Sequence, residues 1–237
     1  MFQNFEERTA ADFPSKARIV ARELERSGRR ESARVLDVGC GKGFFVKELA
    51  GLGLKAEGID LSSCAIKEGS RAGIENLHAG RLEEQSDWAG KFDAVTAWAT
   101  IEHLPNPQLF LDSIRRVLKP GGLLFLDTGL GGDLVDNAAP GLIQWYDAPQ
   151  HLFVFSKPGM SKVLQGSKFS ILRFDANFER SFLRRLVKYL RNRFLSVAGK
   201  LIFKVALGSK LYQRMRMETK MPFGSLMFVV ARLEEAA

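Results

Sequence analysis

Two acids bracket a run of alternating glycines in this chain: Asp37-Val38-Gly39-Cys40-Gly41-Lys42-Gly43, and then Asp60. Glycine at every second position removes the β-carbons that would keep a ligand off the main chain, and a helix starting near Gly43 presents unpaired N–H groups at its first turn. Such a loop suits a nucleoside cofactor. Asp60 lies 21 residues after Gly39, a spacing at which an acid can accept hydrogen bonds from both ribose hydroxyls of adenosine. Its other reading is the N-cap of a helix beginning at Leu61-Ser62-Ser63, although Ser62 can fill that role itself. Farther on, His103 and His151 are side chains that can take a proton from an attacking hydroxyl. Their structural alternatives are packing at a helix start for His103, with Glu102 as its hydrogen-bond partner, and a satisfied core position for His151. Trp145 and Tyr146 offer an aromatic wall for an apolar or aromatic acceptor, or simply close the core.

Chemistry of this kind needs strands that end together. Arg34 to Val38 reads as a buried first strand that hands over at the glycines to a helix, Phe44 to Leu52. Leu54 to Asp60 is the second strand, Ile74 to Gly80 the third and Lys91 to Trp98 the fourth. A helix then ends at Val117-Leu118-Lys119-Pro120-Gly121-Gly122, and Leu123 to Asp127 is the fifth strand. Before them all, Asp12 to Ser27 carries Pro14 near a helix start, apolar residues at Ala17, Ile19, Val20, Ala21 and Leu24, and a stop at Ser27-Gly28. After them come a short helix around Met160 to Leu164 with Ser156 in its cap region, a sixth strand from Phe169 to Ala176 and a last strand from Phe223 to Leu233. Strands alternating with helices predict an α/β fold with a mostly parallel sheet.

A dinucleotide fingerprint beginning at Gly39 would need glycine where Phe44 stands, which disfavours a nicotinamide-dependent oxidoreductase. Val-Leu-Asp-Val-Gly-Cys-Gly-Lys-Gly, the later Phe92-Asp93-Ala94-Val95 and Ile101-Glu102-His103-Leu104, and the Lys119-Pro120-Gly121-Gly122 turn occur in the order of the class I S-adenosylmethionine-dependent methyltransferases. The chain resembles these enzymes from about Arg34 to Thr128, and in particular the ubiquinone-biosynthesis type of small-molecule methyltransferase. The resemblance implies a Rossmann-like seven-stranded sheet whose last strand runs antiparallel, with helices on both faces. It implies S-adenosylmethionine as cofactor, S-adenosylhomocysteine as product, and Asp37, Gly39, Gly41, Gly43, Asp60, Leu61, Leu82 and Ala97 around the cofactor. It departs from the pattern after the third strand, where Arg81 stands in a place the family often gives to an acid. The expected reaction is O-methylation of a small molecule, with His151 or His103 as base, Trp145 and Tyr146 against the acceptor, and no metal. A non-catalytic cofactor-binding or membrane-associated module is the alternative from another class.

The 237 residues, 46% of them hydrophobic, can bury one full α/β core. The net charge of +8 is unevenly placed: between Arg180 and Lys220 twelve Lys or Arg face the single Glu218, a local +11 that leaves −3 for the rest. A nucleic-acid footprint over the whole surface is not what this composition shows. Within 178–221, Leu183, Leu186, Val187, Leu190, Phe194, Val197, Leu201 and Val205 keep helical spacing while the basic residues fall largely elsewhere. That pattern predicts a basic amphipathic helical insertion before the last strand, placed as a cap over the site or against an anionic membrane surface. The stretch 129–156 is long for a connection and reads as a substrate lid. The two cysteines, Cys40 and Cys64, are expected as small buried or half-buried residues in a reducing compartment. Met1 to Arg8 lacks a secretory apolar core and no run of about 18 apolar residues occurs, so the expectation is a single cytoplasmic domain, at most at a membrane surface.

Overall fold

The computed structural model describes residues 12–132, 150–177 and 225–234. The basic segment 178–221, most of the stretch 129–156, and Trp145 and Tyr146 with it, lie outside the described residues.

The described residues open with α1 (Phe13–Arg26), then β1 (Arg34–Val38), α2 (Phe44–Gly51), β2 (Lys55–Asp60), α3 (Ser63–Arg71), β3 (Leu77–Ala79), β4 (Phe92–Trp98), α4 (Pro107–Val117), β5 (Leu118–Leu130), α5 (Lys157–Gly166), β6 (Phe169–Asn177) and β7 (Ser225–Leu233). These strands form one seven-stranded sheet in the order β3-β2-β1-β4-β5-β7-β6. β3, β2, β1, β4 and β5 pair in parallel, and β7 runs antiparallel between β5 and β6. The order reverses beside β1, which puts the ends of β1 and β4 at the crevice where open α/β sheets bind ligands.

Alternation along the strands builds two cores. Leu36, Val95, Ala97, Leu124 and Leu126 turn to one face, where α4 and α5 cover them with Phe110, Leu111, Ile114, Met160 and Leu164. Val35, Ala94, Leu123 and Phe125 turn to the other, against Ala17, Val20 and Leu24 of α1 and Phe45 and Leu49 of α2. Both faces of the central strands are therefore dry, as parallel strands require.

Several boundaries differ from the sequence reading, most by a residue or two and some by more. The third strand begins at Leu77 rather than Ile74, because the Ile74 N–H closes the turn after α3 on the Gly69 carbonyl and Asn76 takes a left-handed φ of 59°. The fifth strand is longer than Leu123 to Asp127: Leu118 already pairs with Phe92, and an irregularity around the left-handed Gly121 resets the register so that Leu123 pairs with Ala94. α4 thus stops at Val117, ahead of Pro120. Cys64 is exposed, where a buried or half-buried residue was expected, while Cys40 is buried.

Ser156 caps α5 by accepting the Gly159 N–H at 3.2 Å, and Ser62 caps α3 by accepting the Ala65 N–H at 3.2 Å. With α3 capped by Ser62, Asp60 is left for other work.

Candidate active site

The loop from Gly39 to Gly43 is held from below and open from above. Its first two N–H groups, of Gly39 and Cys40, both donate to the Ile59 carbonyl, at 2.9 and 3.2 Å. Gly39 has φ 78°, and a β-carbon there would meet the Thr100 hydroxyl at 2.6 Å. That hydroxyl donates to the Val38 and Trp98 carbonyls and so ties the end of β4 to the end of β1. Gly41 differs: at φ 54° its missing β-carbon would point into open space. Packing excludes a side chain at Gly39, whereas at Gly41 the bare backbone faces a gap that a ligand could use. Gly43, at φ 79°, opens α2.

Asp60 closes the loop from the neighbouring strand. Its Oδ2 accepts the Gly41 N–H at 2.8 Å and its Oδ1 accepts the Ser62 N–H at 2.8 Å. A carboxylate has about four acceptor sites, so each oxygen keeps room for a hydroxyl donor. Leu61, 61% exposed, follows directly and offers an apolar surface at the same rim. Leu82 and Ala97 are buried in the core cluster behind the crevice, and the Leu82 carbonyl accepts a hydrogen bond from Arg116 at 2.9 Å.

Asp37 is only 2% exposed. Burial pushes its carboxyl up to about 7, against the opposing pull of a 2.7 Å hydrogen bond from the Thr96 hydroxyl and of the Lys16 charge. Burial, helped by Asp37 and Asp60, also holds the Cys40 thiol well above its ordinary range, so this cysteine is a packing residue and not a nucleophile.

Lys16 is the functional candidate that sequence reasoning missed. Its ammonium lies 2.6 Å from Asp127 Oδ2 and 4.6 Å from the centre of the Trp98 ring. Asp127 in turn accepts the Ala99 N–H at 2.9 Å, and Ala99 holds a left-handed φ of 47° where β4 turns out of the sheet. Helix α1 therefore delivers one cation to the carboxyl ends of β4 and β5, close enough to act on Asp37. The signal was present: Lys16 precedes Val20 and Leu24 at i, i+4 spacing, so a lysine sits on the buried stripe of a helix.

The two histidines come together from distant parts of the chain. Their ring centroids are 4.9 Å apart. His103 ends the short turn Ile101–His103 that follows Thr100, and its Nδ1 lies 2.6 Å from the Gln150 carbonyl oxygen. The bond expected from His103 to Glu102 is replaced by this main-chain contact. The Glu102 carbonyl accepts the N–H groups of Leu152 and Phe153, at 2.8 and 3.2 Å. The Glu102 side chain is 3% exposed, and burial holds its carboxyl above the usual range, with its own backbone, Thr128 and His103 opposing. Glu102, His103 and His151 each bring one lone-pair atom within 4.8 Å of the others, a convergence that suits a transferable proton.

A family model described as a methyltransferase domain matches residues 7–173. Among curated relatives, the ubiquinone biosynthesis O-methyltransferase of Xanthomonas oryzae pv. oryzae is 37% identical over 121 residues, covering 48% of this chain and 49% of that protein. The protein of the same description from Nitrosococcus oceani is 38% identical over 103 residues, covering 40% and 43%. The chain thus spans about half the length of the curated relatives it matches. Among solved structures, a putative sarcosine dimethylglycine methyltransferase from Galdieria sulphuraria superposes with a TM-score of 0.64 at 16% identity, over 93% of this chain and 86% of that one. Magnesium protoporphyrin IX methyltransferase from Synechocystis, solved with bound S-adenosylhomocysteine, gives 0.59 at 16% identity, over 93% and 83%. Identities of that size speak for a shared fold.

Proposed function

Because this chain belongs to the methyltransferase-domain family, we propose that it transfers a methyl group from S-adenosylmethionine to a hydroxyl of a small-molecule acceptor. When bound, that cofactor supplies an electrophilic methyl group on a sulfonium centre. The observation that carries the reading is the pairing of Gly41 with Asp60: a bare backbone facing open space, joined to an acid that keeps acceptor capacity for ribose hydroxyls. The surrounding charges fit the rest of the cofactor. Asp37 would meet its ammonium, and Lys16 would meet its carboxylate. Leu61 supplies apolar surface beside the ribose acid for the adenine. A hydroxyl acceptor is supported by the O-methyltransferase description of the relatives and by the two imidazoles that meet where the turn after β4 and the segment 150–153 come together.

Attack on a sulfonium methyl neutralises charge, so the residues here have little charge to stabilise. Their work is alignment, exclusion of water and removal of one proton. No helix among the described residues is long and apolar enough to cross a membrane.

Calorimetric titration with S-adenosylhomocysteine, with NADH as control, tests the reading. Binding of the first alone is expected. Binding of NADH alone would return the chain to the oxidoreductase class, and binding of neither would withdraw the cofactor assignment.

A further inference from the structure

The turn Ile101–His103 and the segment 150–153 are fastened to one another through the main chain. The Glu102 carbonyl receives two N–H groups from Leu152 and Phe153, and the His103 ring reaches back to the carbonyl of Gln150. A carbonyl oxygen can only accept, so at 2.6 Å the His103 Nδ1 must carry a hydrogen. In the neutral ring the basic lone pair then belongs to Nε2. We propose that His103, acting through Nε2, is the catalytic base of the reaction, and that the Gln150 carbonyl is the positioning group that selects this nitrogen. The inference rests on the methyl-transfer reading above and goes beyond it by choosing between the two histidines and naming the atom.

Two observations favour His103 over His151. His103 is three residues from Thr100, whose hydroxyl bonds the Val38 carbonyl at the start of the glycine loop, so its position follows that of the cofactor cradle. It is also the more exposed of the two rings, able to meet an acceptor and afterwards to release the proton to water. His151 stands beside it, its ring tilted by 40°, and flanks the base. Glu102 acts through its main-chain carbonyl, which keeps 150–153 and hence the Gln150 carbonyl in place.

The step balances without a further reactant. The acceptor oxygen forms a bond to the methyl carbon as the carbon–sulfur bond breaks, and that electron pair stays on sulfur as a neutral thioether. The hydroxyl proton passes to His103 Nε2. The positive charge lost by the sulfonium is thereby matched by the imidazolium, which keeps its Nδ1 hydrogen on Gln150.

The test starts with the full chain, labelled with nitrogen-15 and loaded with S-adenosylhomocysteine. The sequence holds only three histidines, so long-range proton–nitrogen spectra resolve each ring, with His103→Gln and His151→Gln giving the assignments. His103 in the Nδ1–H tautomer is expected, and the Nε2–H tautomer would overturn the proposal. Turnover is then measured with catechol as the probe hydroxyl. His103→Gln, which can still donate to the Gln150 carbonyl, should lower kcat by about 100-fold or more with S-adenosylhomocysteine affinity retained. His151→Gln should cost clearly less. Wild-type turnover in His103→Gln would refute the assignment. So would loss of wild-type turnover on adding a chelator with recovery on adding manganese, since a cation would then hold the Nε2 lone pair. Failure of the cofactor calorimetry strikes instead at the methyl-transfer reading, and the tautomer measurement, which needs no acceptor, keeps the two failures apart.

Discussion

Asp37 shows how one residue can be unfavourable for folding and useful for binding. Its carboxyl titrates near 7 in the fold against 3.8 ordinarily, because burial penalises the ionised form more than Thr96 and Lys16 favour it. Between those values the folded protein holds a proton that the unfolded chain has released. Stability associated with Asp37 is therefore present at low pH and is lost as pH rises through this window, by about 1.4 kcal/mol per pH unit. Asp37→Asn removes the titration while leaving an amide oxygen for the Thr96 hydroxyl. The variant should match the wild type in denaturant midpoint near pH 4 and exceed it at pH 8, and an equal change at both would contradict the burial argument. It should also bind S-adenosylhomocysteine less well, since a neutral amide cannot answer an ammonium. Asp60→Ala acts on the same ligand by another route. It strips two acceptors from the ribose and frees the Gly41 N–H, and with charged hydrogen bonds worth roughly 1.5–3 kcal/mol each, calorimetry should show a loss of about tenfold or more. Unchanged affinity would remove the ribose role.

Elements carry what single residues cannot, and they mark where the sequence was readable. The glycine loop, the acid at the end of β2 and the caps at Ser62 and Ser156 could all be read because each rests on local chemistry, left-handed turns and cap hydroxyls, whereas the antiparallel direction of β7 came from the family resemblance alone. The His103–Gln150 contact and the Lys16–Asp127 pair could not be read, since each joins positions far apart in sequence and leaves no periodic trace beyond one lysine on a buried stripe. The third strand was misjudged for a different reason, as Ile74 is apolar enough for a strand but is spent on closing the turn after α3. Helix α3 gives a test at this scale. Gly69 sits in its interior, where Gly→Ala would ordinarily stabilise by about 1 kcal/mol. Here a β-carbon would fall onto the carbonyl oxygen of Lys42 in the glycine loop and crowd the Leu77 side chain. Gly69→Ala should therefore lower the denaturant midpoint and weaken S-adenosylhomocysteine binding together, because the helix can move only by pushing the loop. A gain in stability would mean that α3 and the loop are not in close register.

At the scale of the whole molecule, the last strand is the one the sheet cannot do without. β7 is the last of the described elements, yet it lies between β5 and β6 and pairs along almost its whole length with both. It places Met227 and Val229 in one core and Val230 in the other. β5 holds Asp127, the partner of Lys16, and Thr128, which faces Glu102, so the site depends on an edge that β7 covers. Burying large apolar side chains contributes roughly 1.5–3 kcal/mol each, and Met227, Val229, Val230 and Leu233 together reach the net stability of a typical domain, on the order of 5–15 kcal/mol. Loss of the strand would also leave unpaired edges on β5 and β6, which invite association. A chain ending at residue 224 should therefore fail to give a cooperative thermal transition and should elute as aggregates, although it retains the glycine loop, Asp60 and both histidines. Adding a synthetic strand of residues 225–234 should restore part of the transition and, with it, S-adenosylhomocysteine binding. A truncated chain that melts cooperatively as a monomer and still binds the ligand would show that β1 to β5 form the site unaided, and that β7 only closes the sheet.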